Sequence, residues 1–75
     1  MKLTPEFRDR LNQLIEERKL TDEQCLLIFK ISTNALYKAR KLGVHPTPRV
    51  LQRMAVFFGV STEYLLGLTD EKEKK

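Results

Sequence analysis

The residues of this chain that could take part in bond chemistry are few and stand apart. Cys25 is the only cysteine, has no histidine near it in sequence and lies in the apolar run from Cys25 to Phe29. A reactive cysteine needs a neighbour that stabilises its thiolate, so this pattern indicates an inert structural thiol. His45 has no cysteine, histidine or aspartate at ligand spacing, so we expect no metal and no cofactor.

Motifs of catalytic sites are missing from the sequence as well. It contains no GxSxG turn, no glycine-rich phosphate loop and no paired cysteine or histidine ligands. Tyr37 and Lys38 could imitate a catalytic pair, but nothing in the sequence forms a pocket around them. We therefore expect a binding protein, not an enzyme.

The positive charge of the chain is concentrated in its middle. The formal net charge is +4, and residues 24–62 contain no acidic residue. Such a surface suits polyphosphate backbones, because each neutralised phosphate releases condensed counterions. It could equally be a solvated surface without a partner, and charge alone does not separate the two interpretations. The six cations of this stretch are Lys30, Lys38, Arg40, Lys41, Arg49 and Arg53.

The length and composition predict a single small domain over residues 1–69 and a charged, disordered tail at 70–75. One cysteine excludes an internal disulfide, which fits a reducing cytoplasm. The apolar run of the middle segment is far too short to span a bilayer. Charged residues interrupt the first ten positions, so we expect no secretion signal and a cytoplasmic protein.

Apolar periodicity predicts an all-α fold of five helices. The first helix starts at Pro5 after a Thr4 cap, the fourth starts at Pro48 after a Thr47 cap, and Ser61 caps a short fifth helix. The core stripes of the first and fourth helices recur at helical spacing. These stripes are Phe7, Leu11, Leu14 and Ile15, and then Leu51, Met54, Ala55 and Phe58.

The central stretch, residues 21–40, predicts two short helices joined by a tight turn. Thr21 and Gln24 form a capping box at the start of the second helix, and Ser32 caps the third, with Ile31 buried in the turn. The second helix is unusually apolar. Cys25, Leu26 and Phe29 share one face, which leaves Leu27 or Ile28 partly exposed.

The third helix, Thr33 to Arg40, is polar on one side and apolar on the other. Ala35, Leu36 and Ala39 face the core. Asn pairs well with adenine, Lys donates to guanine or phosphate, and the Thr methyl contacts thymine, so the opposite side suits a DNA groove. An ordinary solvated face would mix Glu with Lys, whereas this face has no acid. Its members are Thr33, Asn34, Tyr37, Lys38 and Lys41.

Taken together, these elements resemble the lambda-repressor and Cro-like (XRE-type) helix-turn-helix domains of phage and bacterial regulators. The likeness runs from Phe7 to Gly67, without a gap after Ile31. Its most specific part is C-terminal. The matching residues are Leu20-Thr21, Glu23, Ile31-Ser32, Leu36, Pro46, Leu51, Met54-Ala55, Phe58-Gly59-Val60-Ser61 and Tyr64-Leu65-Leu66-Gly67.

The resemblance implies a repressor-like transcriptional regulator that places its third helix in the major groove. It assigns base reading to Thr33, Asn34 and Lys38, with Tyr37 beside them. It assigns a homodimer on a two-fold operator as the bound form. Phosphate contacts fall on Ser32, Lys41, His45, Arg49 and Arg40.

Several positions depart from the family pattern. Asp22 stands where a phosphate-binding Gln is common, Leu26 replaces a small Ala, and Lys30 replaces the Gly of the turn and must adopt a costly backbone. Leu27 and Ile28 fill positions that are usually polar, and Ala39-Arg40 replaces an aromatic-Glu pair. The alternative function is a protein-interaction module on the same fold that modulates another repressor through Leu27 and Ile28.

Overall fold

A computed structural model of the chain describes residues 5–70, within which every regular element is helical. This confirms the all-α prediction. The Thr4 cap and tail residues 71–75 lie outside the described residues. The elements are α1 (Pro5–Glu17), α2 (Asp22–Phe29), α3 (Thr33–Tyr37), a π-helical segment (Lys38–Leu42) that continues α3, α4 (Pro48–Phe58) and α5 (Thr62–Leu65).

Side-chain oxygens cap α2, α3, α4 and α5, as the sequence predicted. In α2, Thr21 Oγ1 accepts from Gln24 N at 3.2 Å, and Thr21 N donates to Gln24 Oε1 at 2.9 Å, which completes the capping box. Ser32, Thr47 and Ser61 accept from the backbone N–H three residues ahead at 3.1, 3.4 and 3.0 Å. Each cap satisfies a donor that the helix itself leaves open.

The two predicted apolar stripes of α1 and α4 form the core, to which α2, α3 and α5 add one or two side chains each. Ile31 departs from its prediction, because it is half-buried at the edge of the core and not a buried plug. Its neighbours in the turn, Lys30 and Ser32, are exposed, so the turn runs along the surface. The buried hydrophobic residues are Phe7, Leu11, Leu14, Ile15, Cys25, Phe29, Leu36, Ala39, Leu51, Met54, Ala55, Phe58 and Leu65.

The turn between α2 and α3 depends on a left-handed backbone at Lys30. This residue has φ 56° and ψ 53° and forms the C-cap of α2. The sequence predicted a costly conformation here, and that prediction is confirmed. A left-handed residue ends α2 abruptly, so the chain reaches the Ser32 cap of α3 after only one further residue.

The C-terminal half of the third helix differs from the prediction of a continuous α-helix. After Tyr37 the chain widens into a π-helical turn, in which Gly43 N donates to Lys38 O, and Gly43 then ends it with φ 75°. The wide turn alters the backbone bonding, and Asn12 Nδ2 of α1 donates to Arg40 O at 3.0 Å. Contact with α1 therefore supplies a hydrogen-bond donor to one backbone carbonyl of this irregular segment. Short π turns of this kind often occur at functional sites.

Candidate functional site

The outer side of α3 carries four neighbouring exposed polar side chains, Thr33, Asn34, Tyr37 and Lys38. The opposite side is anchored by Leu36, which is buried, and the π segment is anchored by buried Ala39. These two anchors fix which side of the helix meets solvent. We call Thr33, Asn34, Tyr37, Lys38 and the exposed Lys41 the α3 face.

Three members of the α3 face are brought together around one small cavity. Thr33, Tyr37 and Lys41 line a cavity of about 230 Å³ between α2 and the α3–π unit. Asp22 lines the same cavity from the start of α2. The α3 face therefore contains no acid of its own, but one carboxylate stands at its edge.

That carboxylate is paired inside the molecule. Asp22 Oδ1 accepts from Arg40 Nη1 at 2.7 Å, and Arg40 Nε donates to Asn12 Oδ1, also at 2.7 Å. Arg40 is thus held between α1 and α2 and contributes to the fold. We leave it out of the phosphate-binding set that the sequence predicted, because two of its three nitrogens already have partners.

Cys25 lies behind this ion pair and is fully buried. Burial raises the pKa of the Cys25 thiol above its ordinary value, although the nearby Arg40 charge lowers it and Asp22 raises it further. A buried thiol that resists ionisation is a poor nucleophile. This agrees with the structural role that the sequence predicted for it.

The six cations of the acid-free stretch divide into two groups. Arg53 resembles Arg40 in having an internal partner, since its Nη1 donates to Phe29 O at 3.2 Å and so satisfies the end of α2. The other four are exposed, and within residues 5–70 none of them has a carboxylate within 4.0 Å. These four are Lys30, Lys38, Lys41 and Arg49.

The remaining predicted phosphate contacts lie on other elements. Ser32 is exposed beside the α3 face, and its oxygen accepts from Ala35 N, so its hydroxyl hydrogen is still able to donate. His45 is half-buried, with its ring edge-on to Phe7 at 5.1 Å between centroids. Arg49 is exposed on α4, where it lines a different groove from the cavity of the α3 face.

A second exposed surface is apolar, and the sequence predicted only part of it. Leu27 is 78% exposed, which confirms the predicted outward residue of α2, while Ile28 is half-buried. Ile28 lines a groove with Val56 and Phe57 of α4. Val56 is 73% exposed and was missed, although its position outside the buried stripe of α4 was a signal that could have identified it.

Comparison with known proteins identifies no relative of this chain, so the proposed function is argued from these surfaces. No family model, no curated protein and no solved structure matches the chain. Within the described residues, no group of three or more His, Cys, Asp or Glu side chains is placed to hold a metal ion. No helix of residues 5–70 is long and apolar enough to cross a membrane.

Proposed function

We propose that this protein binds duplex DNA sequence-specifically and regulates transcription, with α3 lying in the major groove. The observation that carries the proposal is the α3 face: five adjacent exposed side chains, each a hydrogen-bond donor and none acidic. A helix of this composition suits the major groove, whose base edges present acceptors and thymine methyl groups. The left-handed turn at Lys30, which sets α3 close behind α2, is consistent with a helix-turn-helix of the lambda-repressor type.

In this proposal the residues divide by what they contact. Asn34 and Lys38 read base edges, Thr33 contacts a thymine methyl, and Tyr37 lies beside them. Phosphates are contacted from the surrounding surface, on which Lys41 and Arg49 are exposed cations. The phosphate set is Ser32, Lys41, His45 and Arg49, with Arg40 removed because Asn12 and Asp22 engage it.

The proposed bound form is a homodimer in the cytoplasm, one chain on each half of a two-fold operator. Two copies of α3 would enter successive major grooves about one helical turn apart, roughly 34 Å. If Lys41 and Arg49 of both chains neutralise phosphates, about four counterions are released on binding. The expected slope of log affinity against log salt is then about −3.6.

The test is selection of bound fragments from a random duplex pool, followed by titration of the selected fragment at 50 and 200 mM salt. The proposal predicts a two-fold-symmetric consensus and an affinity about a hundredfold weaker at the higher salt. A scrambled duplex of equal length and composition is the control. Equal binding to the selected and scrambled duplexes would contradict sequence-specific recognition.

A further inference from the structure

An open groove runs between α2 and α4, separate from the cavity of the α3 face. Its volume is about 450 Å³, within the range of ligand-binding clefts. Its apolar part is formed by Ile28 and Phe57, which are half-buried against the core, and by Val56, which is mostly exposed. Such apolar side chains remain in contact with water unless another molecule covers them.

The polar residues of the same groove are two arginines and one glutamine, without an acid. Arg53 lines the groove, and the bond from its Nη1 to Phe29 O places its charge there. Arg49 lies one helical turn earlier on the same side of α4 and is exposed. The groove thus combines an apolar floor with two positive charges.

This combination decides between the molecules that could cover the groove. A two-fold contact between copies would place the groove against itself and bring four arginines together, which like-charge repulsion disfavours. A phosphate backbone could use the two charges but would leave the apolar floor uncovered. A peptide with acidic and large apolar residues matches both features.

The geometry points to a docking site for an acidic, amphipathic peptide segment of another protein. One or two large apolar side chains of that segment lie on Val56 between Ile28 and Phe57, and flanking carboxylates pair with Arg49 and Arg53. The sequence suggested Leu27 and Ile28 as a protein contact. Ile28 lines the groove and Leu27 does not, so the site is centred on α4. This inference does not depend on DNA binding.

The test is selection from a displayed library of random twelve-residue peptides against the full-length protein. Peptides that combine Asp or Glu with Leu, Ile, Phe or Trp should be enriched. Each enriched peptide is then measured by fluorescence anisotropy against the wild type, Val56→Glu and Leu68→Glu. Leu68 is also 73% exposed and lies outside the groove, so it is a matched control.

Val56→Glu should weaken peptide binding at least tenfold, because it adds a carboxylate to the apolar floor, and Leu68→Glu should change it less than twofold. Circular dichroism would check that both variants remain folded, as expected for exposed positions. Enrichment of basic peptides, no enrichment, or equal weakening by both substitutions would overturn the proposal. So would concentration-dependent dimerisation that Val56→Glu abolishes.

Discussion

Arg40 and Asp22, eighteen residues apart, form an ion pair with 2.7 Å between Nη1 and Oδ1 at the back of the α3 face. Together with the Arg40–Asn12 bond, this pair joins α1, α2 and the π segment. It also offsets the one negative charge at the edge of the proposed DNA-binding surface. Asp22 stands where a phosphate-binding Gln is common in the resembled family, and its pairing with Arg40 makes this carboxylate compatible with a nearby phosphate.

Replacing Arg40 should affect stability more than DNA binding. Arg40→Ala removes the partly buried bond to Asn12 and the ion pair, so the free energy of unfolding should fall by about 1–2 kcal/mol. Urea denaturation would measure this loss. In a titration against the selected duplex, the salt slope should stay unchanged for Arg40→Ala and fall by about 1.8 for Lys41→Ala, because each dimer then loses two phosphate contacts. Equal flattening by both variants would show that Arg40 contacts phosphate.

The left-handed residue in the turn provides a second test. Lys30→Gly relieves the steric cost of φ 56°, partly offset by the greater entropy of glycine in the unfolded chain. The free energy of unfolding should rise by about 0.5–1 kcal/mol. Gln52→Gly, at an exposed position inside α4, is the control and should lower it by about 1 kcal/mol. If both substitutions destabilise alike, Lys30 is not strained in solution.

Two left-handed glycines should differ in their tolerance of alanine. At Gly59 (φ 70°) an added Cβ meets nothing within 4 Å, whereas at Gly67 (φ 80°) it would lie 2.5 Å from Glu6 Cβ. Gly59→Ala should cost about 1–2 kcal/mol from the backbone alone. Gly67→Ala should cost at least about 1 kcal/mol more, because α1 and the segment after α5 must separate. Thermal denaturation of both variants measures the difference, and equal losses would contradict this contact.

The raised pKa of Cys25 predicts a pH dependence of stability. Below the ordinary thiol pKa both the folded and unfolded states hold the proton, so the group has no effect. Above it the unfolded chain loses the proton first, and the free energy of unfolding falls as pH rises. The quantity to measure is the free energy of unfolding of the wild type minus that of Cys25→Ala, between pH 7 and pH 10, because the subtraction isolates the thiol. A difference that does not change with pH would contradict the burial of the thiol.

The sequence was sufficient to predict the structural features that depend only on residues close together along the chain. The caps at Thr21, Ser32, Thr47 and Ser61 each need only a backbone N–H three residues ahead, so their residue types are sufficient evidence. The apolar stripes of α1 and α4 follow from helical spacing in the same way. The costly backbone at Lys30 was expected from the resemblance, because Lys30 stands where that family has a Gly.

Features that depend on distant contacts were beyond the sequence. Nothing local shows that Arg40 meets Asn12 of α1, twenty-eight residues away, or that Arg53 satisfies the end of α2. Counting six cations therefore overstated the charge available to DNA. The π segment was missed for the same reason, because it is accommodated by α1 packing against it and not by its own residues.

Base reading by the α3 face can be tested through the base preference of its variants. Asn34→Ala and Lys38→Ala would each be profiled against every single-base change of the selected operator, beside Gln13→Ala and Lys19→Ala, two exposed residues of matched type outside the face. We expect each α3-face variant to lose about 1–3 kcal/mol of discrimination at one position of each operator half-site, while the controls lose none. Unchanged operator affinity and base preference in both Asn34→Ala and Lys38→Ala would contradict it.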